Sequence, residues 1–157
     1  MLQKSALFFL TLFILSCSDS KTELPDCSLV DCDVADNTVY ILFLDADTDE
    51  NLLDSGGIQN ETVLISDGTN EIAHSIVENT ERGTILYFNV NPANYGNKSF
   101  DITFEGGELF TISFNTSYLE GECCGPFTGI DAIAISTYLN EYSTTGALPL
   151  NITLYID

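Results

Sequence analysis

Apolar and polar residues alternate along most of the chain, and this alternation predicts β-strands. In the last segment, Leu150–Ile156, leucine or isoleucine occupies every second position, and polar or aromatic residues lie between them. A period of two places alternate side chains on opposite faces of a strand. The segment 38–44 is instead a continuous β-branched and aromatic run, which is typical of a strand covered on both faces.

Turn residues divide the remaining pattern into further strands. Asp67-Gly68 separates the segments 61–66 and 71–77, and an Asp-Gly pair between two such runs predicts a hairpin because it accepts positive φ. A second hairpin is predicted within 99–114, with its turn at Gly106-Gly107. Additional strands are predicted at 83–90 and 127–137.

The chain carries no long amphipathic helix pattern, although 52–54 allows one helical turn. The pattern therefore predicts an all-β domain over 27–157, an antiparallel immunoglobulin-like β-sandwich of about eight strands. A small closed β-barrel is the alternative, because strand number alone does not distinguish two packed sheets from one closed sheet.

The first residues have the order of an export signal. Lys4 supplies a positive start, 6–15 is apolar but too short to span a bilayer, and Ser16-Cys17 is a small-residue cleavage site. The tetrapeptide 14–17 resembles the bacterial lipobox, which implies that 1–16 is a lipoprotein signal peptide and that Cys17 carries the lipid, palmitate included. An ordinary signal peptide with an incidental cysteine is the alternative. The polar segment 17–26 predicts a flexible tether.

Charge restricts the partners of this chain. The formal net charge is −20, from 24 acidic and 4 basic residues. Nucleic acid binding depends on Lys and Arg contacts to phosphate, so the composition excludes nucleic acid as a partner. The same charge opposes docking on anionic lipid, so membrane association is expected to depend on the N-terminal lipid.

The remaining cysteines predict disulfides. With Cys17 assigned to lipid, an even number is left in an exported chain, namely Cys27, Cys32, Cys123 and Cys124. Adjacent cysteines in an extended segment point to opposite sides and reach different partners. We therefore expect Cys27 and Cys32 each to bond to one of the adjacent pair. A Cys27–Cys32 bond with a Cys123–Cys124 bond is the alternative, and the spacings match no common zinc site.

An acidic segment is the candidate metal site. Asp45, Asp47 and Asp49 alternate like the opening of a calcium loop, but an EF-hand requires Gly where Glu50 stands and Glu where Gly56 stands. A weak calcium site of another geometry would use these three aspartates with Asp54. A solvated acidic loop is the alternative.

No catalytic motif is present, and the sequence does not predict an enzyme. His74, the single histidine, shares a strand face with Ile72 and Ile76, which predicts a structural imidazole rather than an acid-base group. Three tyrosines near glycine and proline are predicted to lie in exposed loops and to contribute to binding. They are Tyr95, Tyr138 and Tyr142.

Several short motifs resemble small all-β lipoproteins of Bacteroidota, flavobacteria especially. These are the lipid cysteine followed by Ser18-Asp19, the segment 27–32, the 39–44 strand running into Asp45, and the late 123–125. The resemblance implies an outer-membrane location, with Asp19 and Glu23 similar to a cell-surface export signal, and it implies no activity.

The predicted function is a lipid-anchored, noncatalytic binding or accessory module. Its partner is an unknown protein or glycan. A structural envelope component without a specific ligand and a weak calcium-binding domain are the alternatives.

Overall fold

The computed structural model describes residues 27–32 and 34–157. The predicted signal peptide (1–16), Cys17 and the rest of the tether to residue 26 lie outside the described residues. Within the described part, no helix is both long and apolar enough to cross a membrane.

Nine strands make up about half of the described chain. They are β1 (Thr38–Asp45), β2 (Leu64–Ser66), β3 (His74–Asn79), β4 (Gly83–Asn89), β5 (Gly96–Thr103), β6 (Phe110–Leu119), β7 (Phe127–Ile135), β8 (Leu139–Ser143) and β9 (Leu150–Ile156). Helical structure in this part consists of α1 (Leu52–Ser55) and two 3-10 turns, Cys27–Leu29 and Asn60–Thr62.

The strands form two sheets that pack face to face. One sheet has five strands in the order β3-β4-β1-β9-β8, and the other has four in the order β2-β5-β6-β7. Each sheet ends in edge strands instead of closing on itself, so the closed barrel is excluded and the all-β sandwich is confirmed.

One strand pair corrects the expectation of a purely antiparallel arrangement. The first and last strands, β1 and β9, are parallel, in register from Val39 opposite Leu150 to Asp45 opposite Ile156. The first strand is therefore central in its sheet, whereas the immunoglobulin order places it beside the second strand at an edge. Alternation fixes which face a residue occupies, but it does not fix strand direction.

The predicted hairpin at Asp67-Gly68 is confirmed only at its turn, because the two flanking segments do not continue as a paired ladder. Ser66 and Glu71 form an isolated antiparallel bridge. Beyond that bridge, β2 pairs with β5 and β3 pairs with β4, so the turn leads from one sheet to the other. Residues 60–62, which overlap the start of the predicted strand, form a 3-10 turn instead.

Strand β8 was not predicted, because the sequence suggested a loop around Tyr138 and Tyr142. Its five residues pair antiparallel with β9 at the edge of the five-stranded sheet. Its burial pattern has no buried position, which explains why hydrophobic alternation does not reveal it.

The core lies between the sheets and is rich in phenylalanine. Four phenylalanines are less than 2% exposed, Phe43, Phe88, Phe110 and Phe114. Phe88 contacts Phe100 edge to face with 4.9 Å between ring centres, and such offset contacts are favoured by aromatic rings. Strand β9 alternates buried and half-buried positions along its whole length, as predicted.

Candidate functional site

Two disulfides cross-link the start of the described chain to the loop after β6. Cys27 is bonded to Cys123 and Cys32 to Cys124, with Cα–Cα distances of 5.2 and 5.5 Å. The predicted cross-linked pairing is thus confirmed, and the alternative with local bonds is excluded. The adjacent cysteines reach two separate partners from a bend in this loop, where the prediction assumed extended backbone.

An open cleft of about 670 Å³ lies beside these disulfides, and we call it the disulfide cleft. Its lining comes from three separate parts of the chain, 31–36, 119–127 and 145–149: Asp31, Val34, Ala35, Asp36, Leu119, Glu120, Gly121, Cys124, Phe127, Thr145, Ala147, Leu148 and Pro149. Most of these side chains are apolar. Ligand sites in proteins have volumes of about 300–1,000 Å³ and mainly apolar linings, so the cleft has the dimensions of such a site.

Backbone hydrogen bonds hold one wall of the cleft against β7. The amide of Leu148 donates to the carbonyl of Thr128 at 2.9 Å, and the amide of Ile130 donates to that of Gly146 at the same distance. The hydroxyl of Thr128 donates to the Asn37 side chain at 2.6 Å, which fixes the segment entering β1. The walls are therefore positioned by the sheet and by the disulfides.

The charged groups that line the cleft are all carboxylates, from Asp31, Asp36 and Glu120. The Tyr40 hydroxyl donates to Asp36 at 3.1 Å. Burial, and after it this hydrogen bond, raises the pKa of Tyr40 above its usual 10.0, so the phenol remains a donor at neutral pH.

Several apolar side chains around this end of the sandwich are exposed. Leu29 is 92% exposed, Val34 94% and Leu119 41%. Of the cleft residues, only Cys124 was predicted from the sequence as a site residue. Its lining is spread over more than a hundred positions without a shared motif, so no local signal marks it.

The calcium candidates do not form one site. The Asp45 carboxylate accepts hydrogen bonds from the Thr48 hydroxyl and amide, both at 2.8 Å, and these donors lower its pKa. Asp54 instead accepts from the amide and hydroxyl of Thr84. Among the described residues, no three His, Cys, Asp or Glu side chains are placed to hold a metal ion. The structure therefore does not gather Asp45, Asp47, Asp49 and Asp54 around a cation.

The three candidate tyrosines do not lie together. Tyr95 is 49% exposed in the loop between β4 and β5, and Tyr142 is 51% exposed in β8. Tyr138 is only partly exposed, which corrects the expectation of an exposed loop residue, because its ring packs on Phe104 and Phe110 at 6.3 and 5.7 Å. No ring contact joins any two of the three in the described part.

A second surface, the tyrosine face, is the outer side of the five-stranded sheet. Tyr40 and Tyr87 are opposite each other in β1 and β4, with ring centres 6.0 Å apart. Next to them, Leu42 and Ile85 point outward yet are only 9% and 7% exposed. An open groove of about 430 Å³ over this face is lined mainly by polar and charged residues, Arg82 among them. Its lining is less apolar than that of the disulfide cleft.

His74 has a structural environment. Its Nε2 lies 3.3 Å from the carbonyl oxygen of Asn60, and its strand neighbour across the sheet is the buried Phe88. The imidazole thereby links β3 to the 3-10 turn at 60–62.

The comparisons with known proteins identify no relative. No family model matches the chain, and neither a curated protein nor a solved structure is significantly similar to it.

Proposed function

We propose that this protein is a lipid-anchored, noncatalytic binding module of the outer membrane and that the disulfide cleft is its ligand site. The observation that carries the proposal is the cleft itself, a mainly apolar concavity of about 670 Å³ in a protein with a net charge of −20. Apolar concavities of this size are the usual form of a small-molecule site.

The position of the cleft fits an anchored protein. Only ten positions separate Cys17 from Cys27, and Cys27 is bonded to the loop that forms part of the cleft wall. A fully extended chain of that length spans at most about 33–36 Å. The proposed anchor would therefore keep the cleft within a few nanometres of the membrane.

The chemistry of the cleft favours binding over catalysis. The titratable side chains in its lining are the carboxylates of Asp31, Asp36 and Glu120, and Cys124 is held in a disulfide, so it offers no thiol nucleophile. General acid-base catalysis needs groups that face a reacting atom with matched pKa values. The cleft lining supplies apolar contact and negative charge instead.

Binding in the cleft is tested with the neutral fluorescent dye Nile red. The protein is the mature chain 17–157 with Cys17→Ser, so that no lipid is attached. We expect saturable binding, and Leu119→Ser should weaken it at least about threefold because the exposed leucine loses apolar contact with the dye.

Leu109→Ser is the matched control. Leu109 is 56% exposed and immediately precedes β6, whereas Leu119 ends the same strand. Equal loss of dye binding in both variants, or no saturable binding by the parent chain, would contradict the proposed site.

The anchor is tested separately in cells. Labelling with a palmitate analogue should mark the wild-type chain and leave Cys17→Ser unmarked, and only the wild type should fractionate with the outer membrane. Membrane association of the unlabelled variant would argue against lipidation at Cys17.

A further inference from the structure

We infer that the ligand of the disulfide cleft is a small amphipathic cation, a molecule with a hydrocarbon body and one positive group. This inference rests on the proposed function of the cleft and adds the chemical class of its ligand. Two properties of the lining carry it: most of its side chains are apolar, and its charged side chains are all carboxylates.

The apolar side chains of the lining favour a ligand with a hydrocarbon body. Leu119 and Phe127 flank the loop between β6 and β7, Leu148 and Pro149 precede β9, and all four line the same concavity. Burial of hydrocarbon against them is favourable by about 25 cal/mol for each Å² removed from water. A fully polar solute gains nothing from such walls.

The charged residues of the lining favour a positively charged ligand. Asp31, Asp36 and Glu120 line the cleft, while the cationic side chains of the described part, Arg82 and Lys98, do not. The net charge of −20 adds to this negative potential. An anionic amphiphile is repelled, a neutral one gains only apolar contact, and a cationic one gains both terms.

A disulfide joins the two segments that carry Asp31 and Glu120. Cys32 follows Asp31 and is bonded to Cys124, which lies four residues after Glu120 and itself lines the cleft. This bond restricts the distance between the two segments before the ligand arrives. A site ordered in advance loses less conformational entropy on binding, so reduction of the disulfides should weaken the site.

The test compares ligands that share one alkyl chain. Octyltrimethylammonium, octanoate and octyl glucoside are titrated below their micelle concentrations into the mature Cys17→Ser chain, with tetramethylammonium as the chain-free cation. Calorimetry should show one site that binds octyltrimethylammonium about tenfold more tightly than the other three.

Paired charge variants separate the cleft from the overall charge. Asp31→Asn with Glu120→Gln should weaken octyltrimethylammonium binding about fivefold. Asp47→Asn with Glu105→Gln removes the same two charges at exposed positions outside the cleft lining and should change binding less than twofold. Equal weakening by both pairs would overturn the inference, because the effect would then belong to the whole molecule.

The disulfide test uses Cys32→Ala with Cys124→Ala, which keeps the Cys27–Cys123 bond. Retained β-sheet circular dichroism with at least about threefold weaker binding supports the role of the bond, and unchanged affinity overturns it. Equal binding of all three octyl compounds would overturn the charge inference and leave the proposed cleft standing. Failure of Nile red and of every octyl compound would overturn both.

Discussion

Gly83 has no side chain, and this leaves room for the contacts between α1 and the start of β4. Its φ is +78°, and a Cβ at this position would collide with the Asp54 carboxylate and approach the Asn51 amide. Asn51 caps α1 by accepting from Leu53 and Asp54, and its Nδ2 donates to the carbonyl of Thr84 at 2.9 Å. The small helix is thereby joined to the start of β4.

Gly83→Ala should destabilise the protein more than Gly106→Ala. Both glycines have positive φ, near +80°, but Cβ at Gly106 meets no atom within 4 Å. The backbone cost at Gly106 is about 1 kcal/mol, and the collision at Gly83 should add about 2 kcal/mol. Urea unfolding of both variants measures the difference, and equal losses would show that the Asp54 side chain moves away freely.

In the acidic turn after β1, hydrogen-bond donors of the turn itself stabilise the Asp45 carboxylate. Asp45 accepts from the amide of Asp47 at 3.1 Å and from both donors of Thr48, which fixes the turn. These donors stabilise the carboxylate and lower its pKa, with the Thr48 hydroxyl as the largest cause. The carboxylate is therefore a structural acceptor of the turn.

The low pKa of Asp45 predicts an acid dependence of stability. A carboxyl with a depressed folded-state pKa stabilises the fold above its unfolded pKa, and that contribution is lost as pH falls through the folded value. The free energy of unfolding should therefore fall less steeply on acidification in Asp45→Asn than in the wild type. Chemical denaturation from neutral pH to about pH 2 measures both slopes, and identical slopes would contradict this assignment.

Calcium should not stabilise this turn specifically. Asp45 is engaged with Thr48 and Asp54 with Thr84, so the candidate carboxylates do not converge. Calcium and magnesium chloride at equal concentration should raise the melting temperature equally, through screening alone. A larger shift with calcium, reversed by a chelator, would show that a site does form.

At the scale of the whole molecule, two disulfides close nearly the same large loop, over separations of 96 and 92 residues. In the chain-entropy model, the first of these bonds stabilises the fold by about 4–5 kcal/mol. Once it exists, the second closes only a small ring of about eight residues, 27–32 together with the two adjacent cysteines, which is worth about 2 kcal/mol in that model.

Removing either bond alone should thus cost about 2 kcal/mol, whereas removing both should cost about 7 kcal/mol. The variants are Cys27→Ala with Cys123→Ala, Cys32→Ala with Cys124→Ala, and all four together. Denaturant unfolding measures the losses. If the loss on removing both bonds equalled the sum of the two single-bond losses, the shared-loop explanation would fail.

The net charge of −20 means that the charges of the folded molecule repel one another and so destabilise the fold. Raising NaCl from about 0.05 to about 0.5 M should therefore increase the melting temperature at neutral pH by a few degrees. The increase should be smaller near about pH 4, where many carboxylates are protonated. A melting temperature that falls with salt at neutral pH would indicate that attraction dominates among the surface charges.

Much of the fold was readable from local pattern. The alternation of Leu150–Ile156 predicted β9, and the adjacency of Cys123 and Cys124 predicted cross-links to Cys27 and Cys32. These features depend on which face a side chain occupies, and neighbouring residues determine that face. The charge and the absence of catalytic motifs likewise needed no structure to be seen.

Tertiary structure decided which strands pair and which residues line the disulfide cleft. It placed β1 parallel to β9, separated β2 from β3 into different sheets, and recruited β8 although its sequence carries no buried alternation. It also assembled the disulfide cleft from segments as distant as Asp31 and Pro149. Strand pairing and cleft formation depend on contacts between residues far apart in the chain, and local hydrophobic pattern carries no record of those contacts.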